Sequence, residues 1–544
     1  MNDSSPASAV HSAPRQDAFD RLSVTGWPWG VASLIAGMAF SFFVFGYALI
    51  YWRNADMDFM VIYSALAMND GKQQVFFDHT AYLTILSVKY WFKLLHELSL
   101  LDAWSLSSMP PASDVAAFDA AMTHAVRAGR VLVFLIAAAS VLVFAGLMRA
   151  IVSDWRVALL AAQAFAFSGG VAVHSRILRS ELVAAMPVIF ALMTLIIAGR
   201  RASLLRPAVL ALAAALCLLG LENKVQAILL IAVLPLVILP FGSAQSASVA
   251  FWRDRTAAWP ITAVMAIASG AALGIGWPLL LDGFDRTLIN AAELRPFLMG
   301  RFGLYQLALM MLIGACMIAY AVLWRVSTVE TLTSMFAVIL GASLALLVLY
   351  VAYDERNMVV IANPIEKMLV FADAATTDVA NGGGISRLIA LLLGDVGSLL
   401  ARYTFVLQPS ARPTVFMIWL IVPGIVVAYR RGERLLALQA LMLLLAAAGI
   451  DTLGVRRGLK TEYFIFTDPL IILAGALLLD RFAPDLSLAQ WTYPAAVTLL
   501  LGYLVVGQAE PVKYAFKETG PESICEWNKH YMPLLPLPWC PPQS

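Results

Sequence analysis

The chain alternates long apolar runs with short polar breaks, and the runs set its architecture. Residues 27–51 hold about 25 consecutive positions without a charge, enough to cross the hydrocarbon core of a bilayer. Further apolar runs follow at 130–148, 157–173, 182–198, 207–221, 225–241, 259–281, 303–324, 331–352, 414–429, 435–452, 463–479 and 489–506. Together they predict an all-α polytopic membrane protein with about thirteen transmembrane helices over 27–506, several of them short. Between the first two runs lies a long polar segment, 52–128. Within it, 80–101 reads as an amphipathic helix: Leu83, Leu86, Tyr90, Leu94 and Leu98 recur at helical spacing, with Lys89, Lys93 and Glu97 on another stripe. Trp91 and Phe92 beside them fit a helix lying in the membrane interface; packing within a small extramembrane domain is the alternative.

Composition agrees with the pattern. The chain is 61% hydrophobic and 13% charged, against about 25% charged residues in soluble domains, and its mean hydropathy is +0.80. A net charge of +2 gives no polyelectrolyte signal, so nucleic acid is not an expected partner. Residues 1–26 begin with a Ser/Ala/Pro-rich stretch that reads as a disordered tail. No secretory signal is expected, because the run that follows is too long for one. No catalytic Ser or Cys motif, Walker loop, Rossmann fingerprint or metal-binding Cys/His cluster stands out.

Basic residues set the orientation. Arg149/Arg156, Arg200/Arg201/Arg206, Arg253/Arg255, Arg325, Arg430/Arg431/Arg434 and Arg481 occupy short connections of one family. The positive-inside rule places these and the amino terminus in the cytoplasm. The loops 52–128 and 353–413 and the tail 507–544 then lie outside, and an odd span count puts the termini on opposite sides. Some short outer loops nevertheless carry bases: Arg176, Arg179, Lys224, Arg286, Arg295, Arg301, Arg456, Arg457 and Lys460. Anionic ligand groups would compensate for them, a lipid-linked phosphate or diphosphate above all; phospholipid headgroups or nearby acids are the alternative partners.

Four outer clusters carry the candidate chemistry. The first is Asn54-Ala55-Asp56-Met57-Asp58-Phe59, where two carboxylates follow the first run, with Asp78-His79 further along the same loop. The second is His174-Ser175-Arg176-Ile177-Leu178-Arg179-Ser180-Glu181. The third is Glu222-Asn223-Lys224, and the fourth is Arg456-Arg457-Gly458-Leu459-Lys460-Thr461-Glu462-Tyr463. Topology puts all four on one side, without showing that they meet. Ionisable residues near membrane depth are disfavoured by about 2.5–3.5 kcal/mol each and are functional candidates by default.

At these residues the chain resembles a family. Asp58-Phe59-x-Val61-x-Tyr63-Ser64-Ala65, then Gly71, then Phe77-Asp78-His79 before an amphipathic helix, is similar to the first outer loop of GT-C glycosyltransferases. These are polytopic enzymes that use polyprenyl-phosphate sugars, among them the protein mannosyltransferases and the lipid A aminoarabinose transferases. Arg176-x-x-Arg179-x-Glu181 and the turn Leu221-Glu222-Asn223-Lys224 also match, and the resemblance covers about residues 50–240. Two departures stand out: Asp56-Met57-Asp58 replaces the Asp-Glu of many relatives, and His79-Thr80 replaces His-Pro.

The resemblance implies a GT-C-like bundle in a bacterial inner membrane. It implies transfer of a sugar from a polyprenyl-phosphate donor to a lipid, glycan or protein acceptor on the outer face. A carboxylate, Asp58 with Asp56 as the second choice, would take the acceptor proton during direct displacement at the anomeric carbon. Arg179, Lys224 and Arg457 would hold the phosphate, with Arg176, Arg456 and Lys460 as further candidates; Glu181 and His79 belong to the same substrate-binding set. No cofactor is firmly implied; a divalent metal on the carboxylates stays open, since two acids are too few to claim one.

Segment 353–413, with Asn381-Gly382-Gly383-Gly384 as a pivot, reads as a loop that either covers the site or is a structural insert. Cys525 and Cys540 in the Pro-rich tail are candidates for a disulfide, and Cys217 and Cys316 read as packing residues. Two rival functions remain at this stage: a secondary transporter with the same charges lining a path, and a ligase or polymerase for lipid-linked glycans.

Overall fold

A computed structural model of the chain describes residues 26–54, 58–72, 81–200, 203–242, 248–282, 304–353, 385–404, 412, 414–455, 459–482, 497–502, 505, 508, 512 and 520–541. Among these residues every regular element is a helix. Helix α1 (Gly26–Phe42) runs into a π-helical turn, Phe43–Tyr47, and a short 3-10 turn, Tyr51–Asn54. There follow α2 (Met60–Asn69), α3 (Tyr82–Glu97), α4 (Val115–Ile151), α5 (Trp155–Ala166), α6 (Gly169–His174), α7 (Ser180–Gly199), α8 (Arg206–Asn223) and α9 (Ala227–Ile238). The second half holds α10 (Ala250–Arg253), α11 (Arg255–Asp282), α12 (Leu304–Leu323), α13 (Thr328–Ala352), α14 (Ile385–Thr404), α15 (Thr414–Arg430) and α16 (Arg434–Val455). A 3-10 turn, Thr461–Phe466, leads into α17 (Asp468–Phe482), and α18 (Cys525–Tyr531) comes last.

Seven of the described helices are long and apolar enough to cross a membrane: α1 with its π turn, α4, α7, α8, α11, α13 and α16. Shorter apolar helices include α2, α5, α9 and α15. The sequence pattern predicts about thirteen spans; the last of them, 489–506, lies mostly outside the described residues. Within 353–413 the reading as a loop misses a helix: α14 buries Leu399 and Tyr403 and exposes Leu393, Val396 and Leu400.

Among the described residues two large hydrophobic cores form, with three small clusters beside them. The larger surrounds α7 and draws on α4, α5, α16 and α17. The smaller joins α2, α3 and the first turns of α4 to the carboxyl-terminal segment through Ile524, Met532, Leu535 and Leu537. A disulfide joins Cys525 to Cys540 in that segment, and the Trp539 ring lies 5.9 Å from Tyr51 and 6.3 Å from Phe118.

Helix α3 sits where the polar–apolar pattern puts it, and its apolar residues divide between the protein interior and the surface. Tyr82, Ile85, Leu86, Val88 and Phe92 are enclosed, whereas Tyr90, Leu94 and Leu98 are exposed. The stripe read from sequence is thus split: its first part packs into the smaller core, and its last residues form an apolar ridge on the surface.

Helix direction alternates, which sorts the polar groups between two ends of the bundle. At one end Arg206 of α8 donates to Glu330 of α13 at 2.8 Å, and the Ser153 backbone N–H donates to Asp480 of α17 at 2.9 Å. At the other end α1 and α8 finish, α7 begins, and the loops carrying the candidate residues meet.

Candidate functional site

The site end is organised around a five-residue turn, 175–179, between α6 and α7. Ser168 caps α6, its hydroxyl accepting from the Val171 N–H at 3.4 Å. The His174 ring Nδ1 pairs with the Gly170 carbonyl at 2.6 Å, so this nitrogen carries the proton and Nε2 faces away from it. Gly170 has a packing reason: a Cβ there would lie 2.6 Å from the Ile465 backbone nitrogen. Its absence lets the 3-10 turn Thr461–Phe466 press against α6.

Three of the four sequence clusters converge here. Glu181 at the start of α7 is fully buried and accepts from Arg179 Nε at 3.2 Å. Lys224 Nζ, after the end of α8, lies 3.0 Å from Glu181 Oε1, and His174 Nε2 lies 3.5 Å from Oε2. Glu462 adds a second acid, 3.6 Å from Arg179. Asn223 fixes the geometry. Its amide donates to the Ser180 carbonyl at 2.7 Å, its side-chain oxygen accepts from the Thr84 N–H at 3.2 Å, and its own carbonyl accepts from the Ala81 N–H at 2.9 Å. One turn therefore locks α3, α7 and α8 together.

The first cluster joins the same turn from the other side. Asp58 Oδ1 accepts from the Leu178 backbone N–H at 2.6 Å. Asp58 Oδ2 accepts from Arg130 Nε at 3.0 Å and Nη2 at 2.8 Å. Arg130 spends its remaining nitrogen on the backbone where α1 ends, donating to the Leu49 carbonyl at 2.6 Å. Both side chains are fully enclosed. Burial pushes the Asp58 carboxyl up, and Arg130 and the Leu178 N–H only partly offset this. Arg130 is absent from the sequence-based set. Its signal was a guanidinium at the mouth of an otherwise apolar run.

Arg176 differs from every other base in the site. It is 1% exposed. Nη2 bonds the Ser41 hydroxyl and, at 3.2 Å, the Gln508 side-chain oxygen. Nε and Nη1 are buried without a hydrogen-bond partner among the described residues. Burial pushes the guanidinium down to about 10, which leaves it cationic at neutral pH. Its stem lies against the π turn of α1, where a Cβ on Gly46 would come 3.0 Å from Arg176 Cβ. π-helical turns of this kind recur at functional sites.

A second buried network, missed by sequence reading, adjoins the site through the same 3-10 turn. Arg412 pairs with Asp451 of α16, donates to Asp468 of α17 at 2.8 Å, and stacks 4.2 Å over the Phe464 ring. Tyr403 donates to Asp451 at 2.6 Å and Thr414 to Asp468 at 2.7 Å. Asp468 Oδ2 is buried with no hydrogen-bond partner among the described residues. Asp451 and Asp468 each stood alone in an apolar run, which is the signal that could have found them.

Lys460 is exposed at the start of that turn. Asp56, His79, Arg456 and Arg457 lie outside the described residues. Among the described residues no group of three or more His, Cys, Asp or Glu side chains has the arrangement of a metal site. No protein-family model, curated protein or solved structure matches the chain.

Proposed function

We propose that the chain is an integral-membrane glycosyltransferase that moves a sugar from a polyprenyl-phosphate donor to a lipid, glycan or protein acceptor. The reaction runs at the end of the bundle that holds Asp58 and Arg176, on the outer face of a bacterial inner membrane. The observation that carries this reading is Arg176, buried with no acid partner among the described residues, on the same turn whose Leu178 N–H holds Asp58. A buried cation without a counter-charge is costly by several kcal/mol, and an anionic ligand group removes that penalty. Arg179 and Lys224 are already paired with Glu181, so in this reading the donor phosphate falls to Arg176, and the Glu181 group shapes the wall beside it.

In the transfer step the acceptor oxygen attacks the anomeric carbon while the bond from that carbon to the phosphate oxygen breaks. Polyprenyl phosphate leaves with the electron pair, and the acceptor proton goes to a carboxylate. Asp58 suits the proton role because burial raises its affinity for a proton. It acts only once the Arg130 pair opens, since both its oxygens are occupied. Arg176 favours departure by meeting the charge that grows on the phosphate. The resemblance of residues 50–240 to GT-C enzymes supports the same reading, and the Cys525–Cys540 disulfide fits an oxidising outer compartment.

The test is sugar transfer from radiolabelled polyprenyl-phosphate sugars by the full chain in nanodiscs. Asp58→Asn is made together with Arg130→Gln, so that no buried cation is left unpaired. Turnover should fall about 100-fold or more with donor binding retained, and Arg176→Gln should lose donor binding as well. Wild-type turnover in both would end the glycosyltransferase reading. Asp468 Oδ2, buried without a hydrogen-bond partner among the described residues, would then favour a secondary transporter with a carboxylate on its path.

A further inference from the structure

Helix α4 is 37 residues long, so its first turns extend beyond the part that a bilayer can cover. On this overhang Asp119, Thr123 and Arg127 recur every four residues and share one face, with Arg130 the next base along the helix. The face lines an open cavity of about 600 Å³, lined also by Asp102 and Ser108 from the connection after α3 and by His124. Pockets for small ligands span about 300–1,000 Å³.

The cavity abuts the first cluster rather than standing apart from it. The Arg127 guanidinium stacks 5.4 Å over the ring of Tyr47, in the π turn that also meets Arg176. Its Nε is buried without a hydrogen-bond partner among the described residues. Asp119 accepts from the Tyr51 hydroxyl at 2.8 Å, in the 3-10 turn that leads toward Asp58.

The lining chemistry is mixed. Two carboxylates face one guanidinium, so the cavity does not select an anion as Arg176 does. Carboxylate acceptors alternate with guanidinium and hydroxyl donors, and a group bearing several hydroxyls needs both kinds at once. We propose that this cavity binds a neutral, hydroxyl-rich glycosyl group, the acceptor end of the reaction. Its role as acceptor site rests on the transferase reading; its choice of ligand does not.

The experiment is saturation-transfer NMR on the full chain in nanodiscs. The probes are the methyl α-glycosides of glucose, mannose and galactose, with inorganic phosphate as a control. At least one glycoside should bind the wild type. Thr123→Trp, which fills the cavity, should weaken it tenfold or more and leave phosphate binding unchanged. Asp119→Asn keeps the size and the acceptor for Tyr51, and should weaken it several-fold without disturbing the fold. No glycoside binding to the wild type, or full binding by both variants, overturns the proposal. Glycoside binding without any sugar transfer would instead leave the cavity standing and remove the transferase reading.

Discussion

Arg130 and Arg176 flank the same stretch at the end of α1, and both are almost completely buried. Arg130 faces a carboxylate and two backbone carbonyls, those of Leu49 and Gly46. Arg176 faces a hydroxyl and an amide oxygen, and keeps two N–H groups unpaired among the described residues. In the proposed reading the same guanidinium at a similar depth is a fastener in one place and a receptor in the other. What decides is whether the chain itself supplies the anion. A paired buried ion is strongly destabilising to break, whereas an unpaired one weakens the fold until a ligand completes it.

The sharpest way to break this contrast is Arg130→Gln. It strands Asp58 in a dry pocket where, among the described residues, the Leu178 N–H remains as its hydrogen-bond donor. Unfolding free energy should drop by about 3–5 kcal/mol in chemical denaturation. An unchanged midpoint would show that the Asp58 pair is not structural. Replacing both, Asp58→Leu with Arg130→Met, should recover most of the loss, since no charge is then left alone.

Arg176→Gln should act in the opposite direction. The ligand-free fold should hold or gain about 1 kcal/mol, because an incompletely bonded cation is removed. Donor affinity should fall by about 1.5–3 kcal/mol, the range of one charged hydrogen bond, in an equilibrium binding assay with polyprenyl phosphate.

Gly46→Ala sharpens the comparison from the backbone side. The new methyl would meet Arg176 Cβ and Cγ at 3.0 Å and leave the Gly46 carbonyl free to accept from Arg130. Donor affinity should weaken, with stability down by about 1–3 kcal/mol from overpacking. Lys460→Ala should do least: the side chain is exposed, and a change within about 0.5 kcal/mol is expected in both assays.

Charge patterning made several residues of the candidate site legible in the sequence, but not how they are wired together. Arg176, Arg179 and Lys224 stood out because bases in short outer loops oppose the orientation rule, and Glu181 came with them as part of the 174–181 cluster. Their convergence did not, because it depends on three chain reversals and on the close approach at Gly170. Arg130 escaped notice for a physical reason: Asp58 lies 72 residues away in sequence, and no local periodicity encodes such a pair. Arg412, Asp451 and Asp468 were overlooked because each is a single charge in or beside an apolar run, and only packing reveals that both acids pair with the one arginine. The amphipathic reading of α3 found the helix, but not which of its apolar residues pack inside the protein. Leu94 and Leu98 continue the apolar stripe at its exposed end, whereas Ile85 and Val88 do the packing.

Thermal unfolding of the wild type, Arg176→Gln and Arg130→Gln, each with and without polyprenyl phosphate, tests the distinction between the two arginines most directly. The account predicts that ligand at about 100 times its Kd stabilises the wild type by about 2.7 kcal/mol. Arg176→Gln should start at or above the wild-type midpoint and gain little from the ligand. Arg130→Gln should start far lower and still gain where it folds. An Arg176→Gln protein that unfolds early, yet keeps the full ligand shift, would contradict the account: Arg176 would then be a fastener like Arg130, and the phosphate would bind elsewhere.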